Sequence, residues 1–238
     1  EAAKLREDVD HIMRHDLKAP LTGIIGLPPV ILEEGGLSDQ QALFLKLIEE
    51  NGFKMLSMIN LSLDLFKMER GTYVLRAEPV DVAAVARRLF VELAALADCR
   101  RNAFVLTVDG RPDAGAEPVV ICVEKLLFYT MLANCLRNAL EASPEGAVVS
   151  VDLRPGNPAL VVVANRGVVP PDIRSRFFGK FATSGKKGGT GLGAYSTRLM
   201  AETHGGFARM ETSDETGMTT VTLALPQPES SERTETTR

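Results

Sequence analysis

No stretch of this 238-residue chain is apolar over the roughly 18 residues that a membrane-spanning helix needs. The densest apolar stretch, residues 21–32, is interrupted by Pro28 and Pro29. No secretory signal pattern stands at the start. Excess basic charge is missing too: a net charge of −4 leaves no general footprint for nucleic acid. Cysteine is scarce. Cys99, Cys122 and Cys135 form an odd set without metal-ligand spacing, which excludes a disulfide frame and a zinc knuckle. They read as small apolar residues of a reducing compartment, hence a cytoplasmic protein. No internal repeat is visible. The chain starts at Glu1 without an initiator Met and reads as a piece of a longer protein.

What is present is a soluble globular balance, 45% hydrophobic and 24% charged, over a length that suits two domains. Residues 1–70 read as two long helices. Leu5, Val9, Ile12 and Leu17 open an apolar face that Ile24, Ile25, Ile31 and Leu32 continue. Gly35-Gly36 breaks it, and Ser38 is placed to cap the next helix. Leu45, Ile48, Met55, Ile59, Leu63 and Phe66 then recur at near-heptad steps, widened by Phe44, Leu47, Met58 and Leu65. One hairpin cannot cover so wide a stripe. A two-fold dimer forming a four-helix bundle can. Gly71 ends the hairpin.

From residue 73 to 225 the pattern is mixed. Helices are expected over 82–97, 124–142 and 192–203, and strands over 147–153, 159–164, 207–212 and 219–225. The fold class is therefore α+β: a helical hairpin, then an α/β sandwich of one mixed sheet with helices on a single face. The domains expected are 1–71 and 72–226. Residues 227–238, rich in Glu, Ser and Thr, are expected to be a disordered tail.

Three short stretches carry chemistry. The first runs from His15 and Asp16 to Pro20. A helix-borne imidazole is a nucleophile near neutral pH, and Pro20 kinks the helix beside it. A lone histidine of this kind is more readily a solvated surface residue, with Pro20 an ordinary kink. The second holds Asn134, Arg137 and Asn138. Asparagines four apart share a helix face, and amide oxygens converging there suit Mg²⁺. Arg137 could face a phosphate. Two polar residues on an amphipathic helix are the plain alternative. The third is Gly-rich, from Gly185 through Lys186, Lys187, Gly188, Gly189, Thr190, Gly191 and Leu192 to Gly193, and leads into a helix. Close backbone approach and a free helix N-terminus make a phosphate cradle, and the lysines add charge. It is not a Walker loop, since no Gly-Lys-Ser/Thr follows the glycines.

In their order and spacing these stretches resemble the sensor histidine kinase family over nearly the whole chain up to Pro226. His15 to Leu21 resembles the H-box and Asn134 to Ala139 the N-box. Asn165-Arg166-Gly167 stands where the G1 box falls. Phe177-Phe178-Gly179-Lys180-Phe181 resembles the F-box of the nucleotide lid, and Gly189 to Gly193 the G2 box. The resemblance implies a dimerisation and phosphotransfer hairpin followed by a Bergerat-fold ATP-binding domain. It implies ATP and Mg²⁺ as cofactors, a homodimer, and the receiver domain of a response regulator as partner. No membrane contact is implied within this fragment. Residue by residue, His15 is the phosphoacceptor and Asp16 its acid and base. Asn138 is the Mg²⁺ ligand with Asn134 beside it. Arg137, Asn165, Gly167, Lys187, Gly189, Gly191, Leu192, Gly193 and Thr220 surround the nucleotide, Thr220 supporting the adenine end.

The chain departs from the family at four places. Asn165 stands where an Asp contacts the adenine amino group, although an amide oxygen accepts the same hydrogen bond. Val169 replaces the second G1 glycine. Glu141 and Ala142 follow the N-box where a basic and an aromatic residue are usual. Ala19 occupies the place, three after Asp16, where a Thr or Asn in the family positions water for regulator dephosphorylation. The function implied is ATP-dependent autophosphorylation of His15, transfer to a regulator aspartate, and weak phosphatase activity. A catalytically impaired dimeric scaffold of the same fold is the alternative, and a gyrase- or chaperone-like ATPase fits less well because those lack the histidine hairpin.

Overall fold

A computed structural model describes residues 18–115, 117–183 and 191–228. The chain divides into two compact units, Glu1–Tyr73 and Val74–Arg238.

The first unit is a helical hairpin. Helix α1, Lys18–Glu34, runs through Pro28 and Pro29, each of which removes one N–H from the helical ladder. The chain then turns at Gly35 and Gly36, both at φ +75°. Ser38 caps helix α2, Asp39–Glu69. The Gln41 N–H donates to the Ser38 hydroxyl, and the Gln41 amide oxygen accepts from the Ser38 N–H, a reciprocal capping box. Gly71, at φ +66°, closes the helix. The two helices pack tightly at Gly52, where a Cβ would stand 2.6 Å from Ile25 Cγ1. Leu21, Leu63, Leu65 and Met68 are buried, but Leu27, Phe44, Leu47, Met55 and Met58 remain exposed.

The second unit is built on a sheet. Strands β1 (Glu78–Asp81) and β4 (Val120–Val123) form an antiparallel pair. Strands β2 (Ala103–Val108), β3 (Arg111–Pro112), β5 (Val148–Arg154), β6 (Ala159–Arg166), β7 (Phe207–Ser213) and β8 (Met218–Leu225) form a six-stranded sheet in the order β3-β2-β5-β6-β8-β7. β2 and β5 are parallel and every other neighbouring pair is antiparallel, so the sheet is mixed. Helices α3 (Val82–Glu92), α4 (Ala94–Asp98), α5 (Lys125–Ala142), α6 (Pro171–Arg174) and α7 (Gly193–Thr203) complete the unit.

Strand alternation decides which face the helices cover. Val149, Val151 and Leu153 of β5, Val161 and Val163 of β6, and Leu223 and Leu225 of β8 are buried. Phe128, Met131, Leu132, Leu136 and Leu140 of α5 and Met200 of α7 supply the opposing core. The other face carries Ser150, Asp152, Thr220 and Thr222, with Val105 exposed. The sandwich has its helices on one side, as the sequence implies.

Three details differ from expectation. The helix expected over 82–97 is broken at Leu93 into α3 and α4. The strands β1 to β4 have no counterpart in the expected list. The tail is not free at its start: the Cys122 N–H donates to Gln227 Oε1 at 2.6 Å, and the Gln227 N–H donates to Asn157 Oδ1 at 3.0 Å. Residues 229–238 lie outside the described residues.

Candidate functional site

A cavity of about 520 Å³ opens beside α5, a size that suits a nucleotide-like ligand. Its walls come from α5, from β6 and β8, from residues 168–183 after β6, and from the start of α7. It is wholly contained in the second unit.

Helix α5 contributes Asn134, Arg137 and Asn138 to the wall. Their spacing of three and four puts them on one face, while Leu132, Leu136 and Leu140 are buried in the core. The Asn134 amide is oriented by its partners. Its Nδ2 donates to Gly193 O at 3.3 Å and to Ser196 Oγ at 3.2 Å, while the Ser196 hydroxyl donates to Gly193 O at 2.9 Å. Both nitrogen-facing partners are acceptors there, so Oδ1 is the atom left to a ligand. An amide oxygen is a ligand type that Mg²⁺ accepts alongside phosphate oxygens. The donor set on α5 therefore fits that ion.

Asn165, at the end of β6, is buried and lines the cavity. Its Nδ2 donates to Arg166 O at 2.8 Å. A carbonyl can only accept, which fixes the amide and leaves Oδ1 as an acceptor. The turn that follows is tightly held. Gly167 sits at φ +124°, and a Cβ there would stand 2.4 Å from Ala142 O, so only glycine fits. Thr219 Oγ1 donates to Gly167 O at 2.7 Å. Its one proton is thereby used, so in the 2.8 Å Thr212–Thr219 hydroxyl contact Thr212 donates. The Val169 N–H donates to Thr212 Oγ1 at 3.1 Å, and Arg174 Nε donates to Val169 O at 2.7 Å. Arg174 in turn holds Asp214 through both of its terminal nitrogens, and the Arg174 guanidinium keeps the Asp214 carboxyl below the ordinary carboxylate value. Val169 is thus built into a closed network despite replacing a glycine.

Gly191 and Gly193 also line the cavity. Gly191 is at φ +66°, and a Cβ on it would meet the Phe181 backbone at 2.6 Å, so the backbone at Gly191 and the backbone at Phe181 pack directly against each other. Gly193 opens α7, with no side chain capping its N-terminus. The positive end of the helix dipole favours an anion there. Phe177 and Phe178, packed edge to face with ring centroids 4.9 Å apart, add apolar wall. Cys135 lines the cavity as well, but burial pushes its thiol up to about 12, only partly offset by the Thr197 hydroxyl beside it. It stays protonated and is not a nucleophile.

The structure brings Asn134, Arg137, Asn138, Asn165, Gly191 and Gly193 to one cavity. Gly167 and Leu192 stand outside the lining residues, Gly167 shaping the turn and Leu192 preceding α7. Thr220 is a correction. It pairs with Ala164 on the opposite face of the sheet, while its neighbour Thr219 pairs with Asn165 and lines the cavity. A one-residue shift along a strand reverses the face. His15, Asp16, Lys187 and Gly189 lie outside the described residues. Sequence reading missed Thr219, which lines the cavity, and Thr212, which stands behind it in the Val169 network; strict alternation counted from Asn165 through its partner strand is the signal that finds the first.

Comparison with known proteins adds to this geometry. Residues 10–71 match the family model described as His Kinase A (phospho-acceptor) domain. Residues 123–229 match that of the histidine kinase-, DNA gyrase B-, and HSP90-like ATPase. The chain is 30% identical over 224 residues to the circadian input-output histidine kinase CikA of Synechococcus elongatus, covering 90% of this chain and 29% of that protein. It is 30% identical over 230 residues to the sensor-like histidine kinase SenX3 of Mycobacterium tuberculosis, covering 93% of this chain and 54% of that one. Among solved structures, full-length ShkA in complex with AMPPNP superposes with a TM-score of 0.70 at 20% identity, covering 93% of this chain and 46% of that one. The chain therefore spans less than two thirds of each of these relatives.

Proposed function

This chain belongs to the histidine kinases, and from that premise we propose that it is the kinase core of a two-component system, which transfers the γ-phosphoryl group of ATP to its own His15 and then to an aspartate in the receiver domain of a response regulator. One observation carries the reading: in a chain that also holds a phospho-acceptor hairpin, the cavity gathers two asparagine amides, an arginine and an uncapped helix N-terminus on one side, and a fixed amide acceptor on the other.

The parts have separate tasks. Asn165 Oδ1 accepts from the exocyclic amino group of adenine, with Thr219 bracing the Gly167 turn behind it. The α7 N-terminus receives phosphate oxygens, with Lys187 and Gly189 preceding it in sequence. Asn138 with Asn134 would hold Mg²⁺, which supplies neutralisation of phosphate charge. Such transfer depends on positioning and electrostatic stabilisation, and these residues position. Asp16 orients the His15 imidazole and takes up its proton as the N–P bond forms.

We assign phosphotransfer to residues 1–71 and catalysis to 72–226, with residues 227–238 as a tail. Dimerisation is supported by the apolar residues that α1 and α2 leave exposed. A cytoplasmic setting is supported by the three free cysteines. No described helix is long and apolar enough to cross a membrane. Weak phosphatase activity is supported by Ala19, exposed on α1 with a methyl group that can neither donate nor accept.

The deciding experiment is incubation with γ-labelled ATP and Mg²⁺. Acid-labile, base-stable label on the chain, absent from His15→Ala, is the expected result. Label that persists in the variant overturns the assignment. No label on the unaltered chain leaves the scaffold reading instead.

A further inference from the structure

Helices α5 and α7 together form the wall that carries Asn134, Asn138 and Gly193. They run antiparallel, and among the described residues polar ties join them at three levels. Asn134 bonds to Gly193 and Ser196 at the cavity end. Cys135 meets Thr197 one step further along. The third tie is at the far end, where His204 caps α7 and touches the residue that precedes α5.

That third tie has only one allowed protonation state. His204 Nδ1 lies 2.7 Å from Met200 O, and the Glu124 N–H points at Nε2 from 3.1 Å. A carbonyl can only accept, so Nδ1 carries a proton. A backbone N–H can only donate, so Nε2 is bare. The ring is the neutral Nδ1–H tautomer, held by a partner on each helix end. A second proton on Nε2 would set two donors against each other, and the ring must then leave Glu124. Burial holds the ring's proton affinity below the ordinary imidazole value, with the Met200 carbonyl and the Glu124 charge opposing. Of the charged groups on the elements around it, Glu124 acts on the ring directly. Glu202 pairs with Arg198 on α7, and Arg209 pairs with Glu211 on β7.

A packed helix moves as a unit. α7 is 11 residues long, so its two ends are roughly 16 Å apart, and core packing around Met200 together with the ties at both ends holds it against α5. Its N-terminus faces the cavity. We infer that His204 is a positioning residue of the nucleotide site, a neutral joint whose protonation frees the C-terminal end of α7 from α5 and so weakens the hold of the α7 N-terminus on a nucleotide phosphate. This inference deepens the nucleotide-binding reading and rests on it.

The test titrates the full chain with a non-hydrolysable ATP analogue and Mg²⁺ by calorimetry, for the native protein and for His204→Gln. Glutamine offers an oxygen to the Glu124 N–H and an amide N–H to Met200 O, and gains no proton. Titration of the nucleotide itself is common to both proteins and cancels in their ratio. At about pH 8, above the imidazole range, the two should bind within about threefold. At about pH 5 the native chain should fall about fivefold or more relative to the variant, the lower end of typical coupling between sites. His204→Ala should bind weakly at both. A native-to-variant ratio constant with pH overturns the inference and leaves the nucleotide reading intact. No binding by the native chain at about pH 8 overturns both. Should His204→Gln fail to fold by circular dichroism, the ¹⁵N shifts of the His204 ring in the native chain decide. A neutral Nδ1–H ring near pH 7 that releases the Glu124 amide on acidification supports the inference, and an Nε2–H or charged ring near pH 7 sinks it.

Discussion

The two units of this chain bury their apolar residues in opposite ways. In the ATPase unit, Phe128, Met131, Leu132, Leu136 and Leu140 are buried to below 2% exposure between one helical layer and one sheet. In the hairpin, Leu27 and Met58 are each 61% exposed and Phe44 is 52% exposed. One unit closes its core with its own layers. The other has spaced its apolar residues for a surface that its own two helices do not supply. The difference suits the proposed tasks, since a nucleotide pocket needs fixed walls and a phosphoacceptor hairpin presents its faces to partners.

The sharpest way to break the comparison is to separate acceptor from donor. His15→Ala should abolish autophosphorylation and leave affinity for the ATP analogue within about twofold, because the two functions reside in different units. A comparable loss of nucleotide binding in that variant would show that the separation is wrong.

Next in size is the core itself. Leu136→Ala should cost the ATPase unit about 2–5 kcal/mol, the range for a buried leucine that leaves a cavity, at any protein concentration. Phe44→Glu should leave that unit's melting unchanged and convert the full chain from dimer to monomer in light scattering. A dimer that survives Phe44→Glu would remove the case for a four-helix bundle through this face.

Asn138→Ala should weaken Mg²⁺-dependent binding of ATP by at least about tenfold, equivalent to about 1.4 kcal/mol, with little effect on melting of the unliganded chain. Equal affinities with and without the side chain, measured by calorimetry, would take Asn138 out of the site.

A smaller effect separates the units by pH. The folded value of His204 is depressed by burial, so its contribution to stability is full above about pH 6.5, where the unfolded ring is neutral as well. That contribution is lost as pH falls through the lowered folded value. Thermal melting of the ATPase unit should therefore weaken on acidification more steeply in the native chain than in His204→Gln. Parallel curves would contradict this. Smallest is Ala19→Thr, which should raise dephosphorylation of the phosphorylated regulator a few-fold, as one orienting contact allows. Rapid dephosphorylation by the unaltered chain, with no gain in the variant, would refute the proposed weak phosphatase.

Much of the architecture is legible in residue order. The Gly35-Gly36 break, the Ser38 cap and the Gly71 stop are local chemistry, and each appears where the turn needs it. The first strands of the ATPase unit were legible too and are easy to overlook. Asp109 and Gly110 both take positive φ between β2 and β3, the signature of a tight hairpin turn. Thr219 was less accessible. Two adjacent threonines have identical chemistry, and only the register of β8 against β6 tells which one faces the cavity.

By itself the sequence determined, strands β1 to β4 aside, the helical hairpin, the later helices and strands, a mixed sheet with helices on one side, and the residue kinds that gather for a nucleotide. Those follow from periodicity, caps and spacing, which act over a few residues. The tertiary structure alone decided which amide atom of Asn134 is free for a ligand, how Val169 is held in place of a glycine, and why His204 must be neutral. In each case the deciding partner is set by packing. Gly193 reaches Asn134 from 59 residues away, Thr212 reaches Val169 from 43, and Glu124 reaches His204 from 80. Such partners meet only after the sheet has paired and α5 and α7 have closed over it, because the direction of a hydrogen bond is fixed by whichever donor or acceptor the packing brings opposite.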